Sequence, residues 1–208
     1  VLLSLGMGMF PGQIPWDVIL IIMSAIAAIC ALQLAGGLDY LVRIAENILR
    51  KNPKHINYLA PAVTYFLTLL AGTGHTAFSM IPVIVEVAKS ENIKPSVPLS
   101  IAVVASQIAI TASPVSAAVV AMSGFLEPFG VNYPTLLAIC ISTTFVAVMI
   151  TAFVMSTFAN NDLSSDPVYQ ERLAAGHVAP PREKNADFHL KPGAKTSVLI
   201  FLIGIICI

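Results

Sequence analysis

Two short polar runs interrupt long apolar stretches: Ala71-Gly72-Thr73-Gly74-His75-Thr76 and Thr111-Ala112-Ser113-Pro114-Val115-Ser116. Both mix hydroxyls with helix breakers, and neither holds an acid, a Lys or an Arg. Glycine and proline stop helices, and a stopped helix leaves unpaired N–H groups at one end and unpaired carbonyls at the other. A helix N-terminus carries roughly half a positive charge. Half-helices starting near Gly74–Thr76 and at Pro114, the latter with Ser113 as N-cap, would present two such ends. With their flanking hydroxyls they suit a small anion such as a carboxylate, without a buried Arg. The candidate binding residues are Gly72, Thr73, Gly74, His75 and Thr76 in the first run. In the second they are Thr111, Ser113, Pro114 and Ser116. Carbonyls just before the breaks, near Ala71 and Ile110, suit a cation such as Na⁺. His75 can donate to an anion or carry a proton near neutral pH; the plainer reading is a satisfied structural donor. Ser106 and Gln107, about a turn before the second break, read as partners that support the site residues or as ordinary helix–helix hydrogen-bonding groups, the latter slightly favoured.

The elements that hold these runs are set by length. Tyr58–Ala88 is apolar at both ends and polar in the middle. As one helix it would be roughly 46 Å long, against a hydrocarbon core of about 30 Å. It is too short for two full spans of ~20 residues and a turn. Two half-length helices that enter a membrane, turn at the glycines and leave on the same side fit the length. Non-helical backbone at that depth is tolerated only inside protein or beside a polar cavity. Val97–Ser123 is the second interrupted segment, a broken helix over 97–123.

The remaining chain is polytopic and all-α. Of 208 residues, 57% are hydrophobic and 11% charged, where a soluble domain has about 25% charged. This composition belongs to an integral membrane protein and excludes a basic nucleic-acid surface. Residues 1–35 read as the end of one transmembrane segment, a turn at Phe10–Pro15 and a span over 16–35 edged by Trp16. Residues 36–57 form an amphipathic helix with Leu38, Leu41, Ala45, Ile48 and Leu49 on one face, an interfacial element or a solvated connector. Residues 58–124 hold the two interrupted segments, with Gly124–Pro134 as a turn. A span follows over 135–158, then a polar loop over 159–195 with a short helix near Asp166–Ala175 and exposed His177 and His189. Another span starts at 194–208. Cys30, Cys140 and Cys207 lie in apolar runs, with buried packing expected rather than a disulfide or metal site. Apolar runs at both ends suggest a piece of a longer protein.

Charge supports the hairpin over 58–88. Lys and Arg concentrate in Gly36–Asn57, Lys89–Ser96 and Asn160–Lys195, and Gly124–Pro134 has none. Short Lys/Arg-rich loops stay cytoplasmic. If Tyr58–Ala88 crossed once, basic loops would fall on both sides. If it turns back, all three basic segments share the cytoplasmic side.

AGGLDYLVRIAENILRKNP (Ala35–Pro53), LAGTGHTAFSMIPVIVEVA (Leu70–Ala88), SQIAITASPVSAAVVAMSG (Ser106–Gly124) and DLSSDPVYQERLAAG (Asp162–Gly176) resemble the anaerobic C4-dicarboxylate transporters, the Dcu family of bacterial inner membranes. The resemblance implies uptake or exchange of fumarate, malate, succinate and aspartate in anaerobic growth. It implies the N-terminal half of an inverted-repeat carrier of the ion-transporter superfamily, with no enzymatic activity and no cofactor beyond a coupling Na⁺ or H⁺. The implied partners are the dicarboxylates, the lipid bilayer and a second copy in a homodimer. The alternative is a channel or a transport-inactive sensor partner. An enzyme using His75 and Ser79 lacks any oxyanion or third-member motif.

Overall fold

A computed structural model describes residues 16–159, 162–176 and 193–206. The Phe10–Pro15 turn, the run before it, Cys207, His177 and His189 lie outside the described residues. Helix α1, Trp16–Leu34, ends at Gly36, whose φ of 77° turns the chain into α2, Gly37–Lys51. Ile26–Leu34 and Gly37–Lys51 meet at 72°. Helix α2 is amphipathic as expected, and part of its apolar face packs on protein. Ala45 and Leu49 sit in the core with Leu41 and Val42 packed beside them, while Ile48 turns out to be 39% exposed. The next two helices cover Ala45 and Leu49, so α2 is docked against them.

A single 3₁₀ turn leads to α3, Ile56–Ala71, and the chain returns through α4, Thr76–Ser90. At ~1.5 Å per residue each is about 23 Å long, short of the ~30 Å hydrocarbon thickness. Their outer ends meet. Ile56 and Ala60 at the start of α3 share a core cluster with Ile84, Val87 and Ala88 at the end of α4. Arg50, just before α3, pairs with Glu86 near the end of α4 at 3.0 Å. The pair is an antiparallel hairpin that turns at Gly72–His75.

Helix α5, Ser96–Ala109, continues as a 3₁₀ turn to Ala112, breaks over residues 113–116 and resumes as α6, Ala117–Leu126. The whole stretch Ser96–Phe129 forms one apolar path of 34 residues. Its second half therefore starts at Ala117, not Pro114, and Ser116 is the N-cap in place of Ser113. The reason is local. The residue before a proline is pushed out of the helical region, and Ser113 is extended at φ −79°, ψ 130°. Ser116 N–H then donates to Ser113 O at 3.1 Å, which puts Pro114 at the second position of a β-turn that favours proline. The expected turn at Gly124–Pro134 is also shorter. Helix runs to Leu126 and a 3₁₀ turn to Phe129, and Gly130 at φ 77° makes the reversal.

Helix α7, Tyr133–Phe158, spans 26 residues with few of them buried. After it come α8, Pro167–Ala174, and α9, Ala194–Ile206. Asp166 caps α8, accepting from Val168 and Tyr169 N–H. Cys140 packs beside the Tyr65 cluster, but Cys30 is exposed on α1 rather than buried. Its neighbours Met23 and Ile26 are exposed too, so that apolar face has no covering helix among the described residues.

The basic segments gather at one end. Lys94 pairs with Asp166 at 2.5 Å, Asn92 Nδ2 donates to Asp162 at 2.9 Å, and Leu163 N–H donates to Asn92 O at 3.0 Å. With the Arg50–Glu86 pair, these contacts bring a part of each of the three basic segments to the hairpin's open end.

Small residues bring the hairpin close to α5. Ala102, Ala105, Ala109 and Ala112 are all buried along one face of the α5 path, the small-residue spacing that lets apolar helices approach. Tyr65 of α3 packs on Ala105, Ala109 and Val148 and hydrogen-bonds Thr144 of α7 at 2.7 Å. The turn of the hairpin consequently lies against the middle of α5–α6, not at its ends.

Candidate functional site

Gly72 ends α3 in the left-handed region at φ 66°, and its N–H donates to Thr68 O at 2.8 Å. A Cβ there would come within 2.6 Å of Val115 Cγ2. At Gly74 a Cβ would come within 2.6 Å of Gln107 Nε2. Both glycines are thus fixed by the close approach of the second broken segment, and Gly72 also by its conformation.

A chain of hydroxyls closes the turn from inside. Thr76 Oγ1 donates to Thr73 O at 3.1 Å. Thr68 and Thr76 hydroxyls lie 2.7 Å apart, and Thr68 and Ser106 hydroxyls 2.8 Å apart. Each hydroxyl has one proton, so the order is Ser106 to Thr68 to Thr76 to Thr73 O. Gly74 O lies farther from Ser106 Oγ, at 3.4 Å. Thr68 and Ser106 are fully buried and Thr76 nearly so. Ser113 Oγ, also buried, donates to Leu69 O at 2.7 Å and satisfies a carbonyl in the last turn of α3. Ser116 Oγ accepts from Ala118 N–H at 3.3 Å. Tyr133 donates from its hydroxyl to Pro114 O.

The two predicted runs therefore come together, joined at Gly72–Val115 and Leu69–Ser113. Within them the residues divide. Thr76, Ser113 and Ser116 spend their hydroxyls on the scaffold, and Gly72 is part of the turn. Thr73 and Pro114 are half-buried, and His75 and Thr111 are exposed. The His75 ring lies 6.0 Å from that of Phe78, and Thr111 donates to Ile108 O at 2.7 Å. Helix α4 starts at Thr76 and α6 at Ala117, so two positive helix ends flank the contact. Sequence reasoning missed Thr68 and Tyr133, while Ser106 makes the helix–helix hydrogen bond expected of it. Thr64 and Thr68, four apart in an otherwise apolar half-helix, were the available signal.

The chemistry of this arrangement is that of neutral donors and helix ends. Among the described residues no cluster of His, Cys, Asp or Glu could hold a metal ion. A cavity of about 800 Å³ opens on the far side of the break, lined by Ser24, Ala28, Pro114, Val115, Tyr133 and Ser197 among others. Its wall is overwhelmingly apolar, so it suits hydrocarbon rather than a dianion.

A family profile described as anaerobic C4-dicarboxylate membrane transporter matches residues 1–208. The C4-dicarboxylate transporter DcuA of Wolinella succinogenes is 68% identical over 208 residues, covering 100% of this chain and 47% of that protein. The DcuA of Helicobacter pylori strain J99 is 63% identical over 207 residues, with 100% of this chain and 46% of that protein covered. That of Escherichia coli K12 is 53% identical over 206 residues, with 99% and 47% covered. The chain thus spans about half the length of the curated relatives it matches. No solved structure matches it significantly. Over its whole length, the chain belongs to the family of anaerobic C4-dicarboxylate membrane transporters.

Proposed function

We propose that the protein of which these residues form a part is a secondary carrier that takes up or exchanges C4-dicarboxylates, among them fumarate, malate, succinate and aspartate. The observation that carries this reading is the meeting of the hairpin turn with the break in the α5–α6 path. Broken helices near the bilayer midplane are a recurrent way for secondary transporters to build substrate sites. In this reading α3 and α4 are re-entrant, with the Arg50–Glu86 end on the cytoplasmic side. One carboxylate of the substrate sits near the N-terminal ends of α4 and α6, where backbone N–H groups and the helix dipoles favour negative charge. Thr73, His75 and Thr111 face it from the open side. Ser113, Ser116 and Thr76 hold the turn and the break in register. Carbonyls at the end of α3 and around Ile110 are available to a coupling Na⁺; His75 is available to a coupling H⁺.

Counterflow in proteoliposomes with the full-length protein tests the proposal. A carrier accelerates entry of labelled fumarate when unlabelled succinate is inside. Equal entry with and without internal succinate would instead indicate a channel, and no entry a transport-inactive protein.

A further inference from the structure

Gln107 is the polar side chain at the tip that the reading above leaves without a role. It lies one position after the fully buried Ser106, yet it is exposed. Val104, Gln107 and Thr111 share the exposed face of the α5 path, opposite the alanines that pack on the hairpin. The carboxamide lies across the turn. A Cβ at Gly74 would come within 2.6 Å of its Nε2 and 3.3 Å of its Oε1. His75, the next residue, is exposed beside it. Among the described residues the Gln107 amide has no hydrogen-bond partner.

Depth makes that arrangement informative. Gln107 is about 17 Å along the path that starts at Ser96 by helix rise, close to half of a ~30 Å hydrocarbon core. A carboxamide without a partner is strongly unfavourable against hydrocarbon. So is the exposed His75 beside it. Whatever covers this face in the whole protein must therefore offer water or polar groups at Gln107. Glycine at position 74 is what lets the amide lie flat on the turn, beside the start of α4, where an anion is favoured.

We infer that Gln107 contacts the substrate, its Nε2 donating to a carboxylate of the dicarboxylate held at the hairpin tip. The inference rests on the carrier reading above. It adds an amide donor on the open side of the site to the donors of the helix ends. Nε2 carries two protons, so a carboxylate oxygen fills a position that nothing described in the protein fills.

The test uses the full-length protein with all its native cysteines, Cys30, Cys140 and Cys207 among them, replaced by serine, reconstituted in proteoliposomes. Gln107→Leu removes the donors at similar size, and Gln107→Glu puts a negative charge against the carboxylate. The expected result is a rise of roughly tenfold or more in KM for fumarate in both variants, larger in Gln107→Glu, at unchanged reconstitution. A purely structural role would lower the amount of active protein and leave KM alone. Gln107→Cys supplies a readout that does not need turnover. A water-soluble maleimide should label it, and saturating fumarate should slow that labelling severalfold. KM within twofold of the parent in both Gln107→Leu and Gln107→Glu overturns the inference, as does a Gln107→Cys thiol that is unreactive or unprotected by fumarate. If the parent protein itself neither transports nor binds fumarate, the carrier reading fails instead.

Discussion

At the scale of residues, the tip depends on two glycines and three buried hydroxyls. Gly72 has a left-handed backbone and Val115 against the place a Cβ would take. Gly72→Ala should cost roughly 1–2 kcal/mol from the backbone alone, and more from the displaced Val115. Thermal unfolding in detergent would show a lowered midpoint. Ser106→Ala removes the first donor of the chain through Thr68 and Thr76 and leaves a buried acceptor unmatched. The expected loss is about 1–3 kcal/mol, accompanied by reduced transport. Thr68→Val should do the same, and the double variant should lose less than the sum of the two. The polar run at Gly72–Thr76 was legible because glycines and hydroxyls stand out in an apolar stretch. That Thr68 is the partner of Ser106 was not. Ser and Thr in apolar helices commonly bond back to their own helix, as Thr143, Thr151 and Thr157 do here. Only the approach of α3 to α5 shows that these two do not.

At the scale of elements, ion pairs tie the polar ends together. The Lys94 ammonium, hydrogen-bonded to Asp166, holds that carboxyl below its ordinary value of 3.8, with help from the Tyr169 and Val168 N–H groups. A carboxylate depressed in this way contributes fully above its unfolded value and is lost as pH falls through the lower folded one. The protection of the Pro167–Ala174 amides, taken as exchange relative to the intrinsic rate at each pH, should therefore be level above pH 3.8 and fall only below it. Lys94→Met should weaken that protection at neutral pH. Burial works against the charge of Arg50, but the hydrogen bonds that it donates to Glu46 and Glu86, with their charges, outweigh it and raise its pKa. Glu86→Gln should loosen α2 from the hairpin by up to about 1 kcal/mol, since the pair is partly exposed. The check is the unfolding midpoint of Glu86→Gln against Arg50→Gln and the double variant, which isolates the pair. Element lengths told of a hairpin and a broken path in advance. The exact restart of α6 was hidden, because Ser-Pro opens a helix and a β-turn equally well. The docking of α2 was hidden as well, since an amphipathic stripe fits a lipid surface or a protein one.

At the scale of the whole molecule, this is a multi-pass α-helical protein of the bacterial inner membrane. Its central geometric feature is a pair of helices too short to cross and joined by a turn against the middle of the neighbouring path. Uneven charge along the sequence anticipated which ends lie together, because basic loops have a preferred side. Single cysteines at His55, Asn92 and Phe129 in the full-length protein freed of all native cysteines, Cys30, Cys140 and Cys207 among them, test this most directly. All three positions are exposed. With a membrane-impermeant maleimide, His55 and Asn92 should react together in inside-out vesicles, and Phe129 only in right-side-out cells. Reaction of His55 and Asn92 from opposite faces would mean that Tyr58–Ala88 crosses the membrane, and would contradict the account.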